Sequence, residues 1–100
     1  MVVTISNLTD TVTLTANVIK CYKETVGFGD TNKECVVVKN DAGFDEQILD
    51  ALEDVQCTDC RVTFGDASDA ESAVYLDCAE FVVNAEGNKI VITGEDLRWA

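Results

Sequence analysis

Ala73-Val74-Tyr75-Leu76-Asp77-Cys78-Ala79-Glu80-Phe81-Val82-Val83-Asn84 is the stretch on which the fold class turns. Upstream, Ser68 with Glu71 forms a capping-box signature, and Ala70, Ala73, Val74, Asp77 and Phe81 share a helical face. On that reading a second helix runs over about 69–81 and the chain is α+β. Against it, Val74-Tyr75-Leu76 and Phe81-Val82-Val83 favour extended structure, and Glu86-Gly87-Asn88 is a hairpin turn into Lys89-Ile90-Val91-Ile92-Thr93. A strand over 73–84 is therefore the preferred reading.

Outward from this stretch, the same logic recurs. Val12, Leu14, Ala16 and Val18 alternate with Thr11, Thr13, Thr15 and Asn17, the period-two pattern of a strand with one buried face. Val2 to Leu8 reads as a shorter neighbour joined through Thr9-Asp10. The glycine-rich segment Gly27-Phe28-Gly29-Asp30-Thr31-Asn32 is a loop, Cys35 to Val38 a strand, and Asn40-Asp41-Ala42-Gly43 its stop. From Phe44 the period changes: Ile48, Leu49, Leu52 and Val55 predict one short helix over about 45–56, with Asp45 as N-cap and Phe44 and Leu49 placed to staple across it. Cys60, Val62 and Phe64 return to strand spacing before the Gly65 to Asp69 loop. Six strands and one helix without β-α-β alternation predict a mainly β fold, an antiparallel β-sandwich or small barrel in a single domain, 1–100.

Composition narrows the function classes. The chain is 47% hydrophobic and carries a net charge of −12, with no stretch long and apolar enough for a membrane span and no signal-peptide pattern at its start. Synthesis in the cytoplasm and five reduced cysteines are the expectation. Residues 1–40 balance four acids with four bases and residues 87–100 two with two, so the net charge lies in 41–86, where thirteen acids face Arg61 alone. Direct nucleic-acid or anionic-membrane binding needs clustered Lys and Arg and is not expected. Protein partners or self-association are. The absence of proline leaves edge strands open to pairing with another subunit.

Catalytic chemistry lacks its parts. With no histidine, Ser-His and Cys-His pairs are absent and so is the side chain best suited to proton transfer near neutral pH. Cys57-Thr58-Asp59-Cys60 has the C-x-x-C form, but it follows a helix, and the helix C-terminus, Asp54 and Asp59 all oppose a thiolate. Zinc would need two more ligands from Cys21, Cys35 and Cys78, which form no second close pair and read as buried strand residues. The acidic loops at 30–34 and 66–71 lack calcium-loop spacing, and Gly27-Phe28-Gly29 lacks the helix and Lys-Ser of a phosphate loop. No enzyme activity, metal or cofactor is expected.

Two surfaces remain as candidates. One is a protein interface of Phe28 in the glycine-rich loop with Leu97, Arg98 and Trp99 in the last seven residues, where Trp and Arg are the types most enriched at interface hot spots. The alternative is an acidic face, Glu46, Asp50, Glu53 and Asp54, whose helical spacing imitates a phosphate track and would suit an inhibitor of a basic nucleic-acid-binding protein.

From Phe44 onward the order is helix, strand Arg61 to Phe64, acidic loop, long strand through Phe81-Val82-Val83, tight turn, strand Ile90-Val91-Ile92 and terminal Glu95-Asp96-Leu97. That order resembles the small β-sandwich accessory subunits of tailed-phage virions, which complete tail tips and head–tail joints or decorate capsids. The likeness covers about residues 44–98. It implies a non-enzymatic virion component, made in the host cytoplasm, that docks on other subunits; it assigns no residue a role.

Overall fold

The computed structural model describes residues 1–25, 32–65 and 73–99; Phe28 and the 66–71 loop lie outside these. The stretch that decides the fold is a strand. The elements are β1 (Val2–Ser6), β2 (Thr11–Thr15), β3 (Val18–Thr25), β4 (Asn32–Lys39), α1 (Glu46–Ala51), β5 (Thr58–Phe64), β6 (Ala73–Val83) and β7 (Lys89–Trp99). The seven strands form one antiparallel sheet in the order β2-β1-β5-β6-β7-β4-β3. The second-helix alternative over 69–81 does not hold for its described part, because Ala73 onward pairs on both sides, with β5 and with β7.

Local chemistry explains the turns. The Asn7 carboxamide oxygen accepts from the N–H groups of Thr9 and Asp10 at 2.9 and 2.7 Å, closing the β1–β2 hairpin. Asn84 does the same for β6–β7, accepting from Asn88 and Lys89 at 3.0 and 3.1 Å while Gly87 adopts φ 68°. Alternation sends Val3, Ile5, Val12, Leu14, Val62, Leu76, Ile90 and Ile92 into one core.

Where six strands are expected there are seven, because the alternating stretch Thr11 to Val18 holds the end of one strand and the start of another. The alternation in the sequence runs through the break to Val18, and Leu14 and Ala16 before it are both buried. Yet the Ala16 N–H still donates to Met1 O at 2.8 Å, whereas the next N–H, that of Asn17, donates to Lys39 O at 2.8 Å. One residue moves the chain from the β1 side of the sheet to the β4 side.

That link shapes the molecule. Laid flat, seven strands would separate β2 from β3 by about 29 Å, but Thr15 and Val18 are three residues apart and reach at most about 11 Å. The sheet must therefore curl until its two edges meet at this corner. Asn40 clasps it, donating from Nδ2 to Thr15 O at 2.9 Å, while Asn17 Oδ1 accepts from the Asp41 N–H at 2.9 Å. No ladder joins β2 to β3 among the described residues, so the sheet is open.

The helix is shorter than the sequence predicts. α1 ends at Ala51, and a 3₁₀ turn, Leu52–Asp54, carries the chain on. Asp45 occupies the N-cap position with extended backbone, but its side chain makes no capping bond. Leu52 and Val55 are buried, and the Phe44 N–H donates to Gly87 O at 2.9 Å, so this segment is tied to the core and to the β6–β7 turn. Gln56 then substitutes for a missing strand residue: its Nε2 donates to Phe81 O at 2.7 Å and its Oε1 accepts from the Phe81 N–H at 3.0 Å.

Candidate protein interface

Because residues facing each other across antiparallel strands share a face, the register defines the outer surface directly. Thr11, Ser6, Arg61, Tyr75 and Arg98 are successive cross-strand partners through β2, β1, β5, β6 and β7. Their neighbours Ile5, Val12, Val62, Val74 and Leu76 point into the core, which sends this row outward. Three separate strands thus bring the chain's only two arginines to either side of one tyrosine.

The Arg61 guanidinium lies over the Tyr75 ring, 5.8 Å from its centroid. On the other side of the ring's strand, Arg98 Nη1 donates to Asp77 Oδ2 at 3.2 Å, and to Asp96 Oδ2 and Asp96 O at 2.8 Å each; Nη2 reaches Asp77 Oδ1 at 3.3 Å. These groups are largely solvent-exposed, so the pairing orients the guanidinium more than it stabilises the fold. Arg61 Nε is buried with no hydrogen-bond partner among the described residues. A buried donor of that kind favours an arriving acceptor.

Arg61, Tyr75 and Arg98 border an open groove of about 400 Å³ whose far wall is Ser6, Asn7 and Leu8. Leu8 stands at the tip of the β1–β2 turn and is fully exposed, and Tyr75 is 37% exposed. An open trough does not enclose a small molecule as cofactor pockets do. Its tyrosine and two arginines are of the types that anchor protein interfaces, and Leu8 adds exposed apolar area beside them.

The terminal segment is not a tail. β7 continues to Trp99, and Leu97 packs against the core while Arg98 faces out, so these two neighbours point to opposite faces. Trp99 ends the strand opposite Val74. Tyr75 and Leu8, which the sequence reading does not single out, join Arg98 instead. An exposed aromatic at an outward strand position was the available signal for Tyr75, but its neighbours could not be known without the register.

On the acidic side, Glu46, Asp50, Glu53 and Asp54 are all exposed, and none takes part in an ion pair among the described residues. The helical track they were expected to form is broken, because Glu53 and Asp54 fall in the 3₁₀ turn, where the winding is tighter than in α1.

The C-x-x-C pair is also divided. Cys60 is buried, its thiol close to Thr58 Oγ1 at 3.2 Å and to Val55 O at 3.6 Å, and burial pushes its pKa up. Cys57 is exposed, and so, contrary to the sequence expectation of a buried strand residue, is Cys78. Among the described residues no three His, Cys, Asp or Glu side chains are grouped to hold a metal ion, and no helix is long and apolar enough to cross a membrane. The chain matches no protein-family model, no curated protein and no solved structure.

Proposed function

We propose that the chain is a non-catalytic assembly protein, of the kind that completes a tailed-phage particle, and that it docks on another protein subunit through the groove between Leu8 and the Arg61-Tyr75-Arg98 row. The observation that carries this reading is the convergence of two arginines and an exposed tyrosine from β5, β6 and β7 beside an exposed leucine. Hot spots draw on these residue types because an aromatic ring and a guanidinium bury large areas with few lost rotamers. The corner at Ala16-Asn17 supports reading the curled sheet as a small sandwich or partly closed barrel, a rigid base for such a surface.

The β2 edge adds a second point of attachment. Thr11, Thr13 and Thr15 are exposed, and the strand carries no charge or proline to discourage pairing. Asn40 already occupies Thr15 O, which leaves the Thr11–Thr13 end as the open part of the edge.

A second reading rests on the exposed, unpaired carboxylates of Glu46, Asp50, Glu53 and Asp54: an acidic inhibitor of a basic nucleic-acid-binding protein. Salt separates the two. Isolation of the native chain from its source should yield a particle whose association with the chain changes little between about 50 and about 300 mM salt and is lost in the double variant Arg61→Ala, Tyr75→Ala. A monomeric chain that binds a basic nuclease or polymerase tightly, and releases it steeply over the same salt range, overturns the assembly reading and supports the acidic one.

A further inference from the structure

Three residues other than glycine hold a positive φ among those described: Cys57 at 57°, Cys78 at 51° and Asp96 at 49°. They lie in adjoining strands or strand entries. The register of β6 slips by one residue against β5 between Cys60 and Thr58, and again against β7 between Asp77 and Glu80, which makes Cys78 an extra residue on both sides. Bulges of this kind re-aim side chains. Here two hydrogen bonds hold the distortion: the Cys57 N–H donates to Ala79 O at 2.7 Å, and the Cys78 N–H donates to Asp59 Oδ1 at 3.1 Å.

The result is a pair of exposed thiols. Cys57 and Cys78 flank the Thr58–Ala79 pair, both are exposed, and the Cys57 thiol is near enough to act on the Cys78 thiol electrostatically. Cys60 points the other way, into the core, against Thr58 and Val55. The partner that C-x-x-C spacing assigns to Cys57 is buried, and the exposed cysteine beside Cys57 is twenty-one positions on.

We propose that Cys57 and Cys78 form a reversible dithiol–disulfide site that cross-links the β5–β6 hairpin at its bulge. The oxidant is a small disulfide of the glutathione class. The thiolate of one cysteine attacks a sulfur of the small disulfide and releases one small thiol; the thiolate of the other attacks the mixed disulfide and releases the second. Two protons and two electrons leave the protein, one S–S bond forms in it and one S–S bond breaks in the oxidant. Strained turns and exposed sulfurs make the site labile to the reverse exchange. Loop closure across the 57–78 stretch stabilises the folded chain by restricting the unfolded one. This inference is independent of the assembly reading.

The test incubates the native full chain with oxidised glutathione, then counts thiols after denaturation and maps the peptides. Three of the five thiols should remain, the protein mass should fall by about 2 Da, and the cross-link should join the peptide containing Cys57 and Cys60 to the one containing Cys78. Tm should rise by about 10 °C and return on reduction. Cys57→Ser and Cys78→Ser should each abolish the cross-link, whereas Cys60→Ala should retain it. Because both serine variants alter exposed positions, their folding can be confirmed by an unchanged thermal transition in the reduced state. A Cys57–Cys60 bond, a lasting glutathione adduct on the wild-type chain, five free thiols after incubation, or normal cross-linking in Cys78→Ser would overturn the proposal.

Discussion

The two halves of β7 are one strand in two environments. Lys89 to Thr93 lies between β6 and β4, paired on both sides in uninterrupted register, with Ile90 and Ile92 fully buried. Gly94 to Trp99 has β6 as its partner but lies beyond the end of the β4 ladder, and it reaches Trp99 only by inserting Asp96 as an extra residue. The outer surfaces differ accordingly. Above the first half, Val82, Val91 and Val37 form a cross-strand apolar row ending at Lys20, beside the Lys39–Lys89 pair. Above the second half, Arg98 is held by two aspartates next to Tyr75. Regular pairing produces a packed sheet, and the bulged half produces a shaped surface.

Substitutions can break or sharpen that contrast. Ile92 faces Phe81 on one side and Val36 on the other, so Ile92→Ala should cost about 3 kcal/mol or more, read from the urea midpoint; a cost near zero would mean that the first half is not the anchor. Gly94 stands where the halves meet, and a Cβ there would lie 2.8 Å from Leu76 Cβ and 3.1 Å from Asp77 O. Gly94→Ala should therefore cost about 1–3 kcal/mol. Adding Leu76→Ala should not rescue it, because the offending Cβ remains.

Asp96→Gly should move stability the other way, by up to about 1 kcal/mol, by relieving the left-handed backbone while Arg98 keeps Asp77. A loss of stability in calorimetry would show that the Asp96 side chain, not the strand path, sets the bulge. Tyr75→Ala should change stability by only about 1 kcal/mol or less, since its ring is partly exposed and stacks on one guanidinium. Its effect should appear in partner binding. In the dithiol, partial desolvation, the neighbouring Cys57 and the carboxylates Glu95 and Glu80 all push the Cys78 thiol above its ordinary pKa. Alkylation of Cys78 in the native chain should therefore be slow at neutral pH and accelerate as pH rises beyond the usual thiol range, because only the thiolate reacts.

The contrast also shows what could be read in advance. Ile90 and Ile92 announce an inward face by simple alternation, and Glu86-Gly87-Asn88 announces the turn before them; both are local properties of a few residues. Beyond Gly94 the alternation fails, since the inserted Asp96 shifts Leu97 back to the inside, and a segment without period looks like a tail. The Ala16-Asn17 junction is the opposite case. There the alternation persists while the hydrogen-bond partner changes, so periodicity hides a boundary. The candidate interface was legible only in Arg98; Arg61, Tyr75 and Leu8 lie too far from it in sequence for any spacing rule to collect them.

From the sequence follow which residues face inward along most strands, the turns at Thr9-Asp10 and Glu86-Gly87-Asn88, the extended reading of 73–83, and the concentration of negative charge in 41–86. Each follows from backbone period, turn chemistry or simple count. What depended on the tertiary structure is that the sheet curls on itself through a two-residue link, that Cys57 lies beside the Cys78 bulge while Cys60 is buried, and that Arg61, Tyr75 and Arg98 share one row. Those outcomes depend on which strands pair and in what register, and pairing is chosen by contacts among residues distant in the chain.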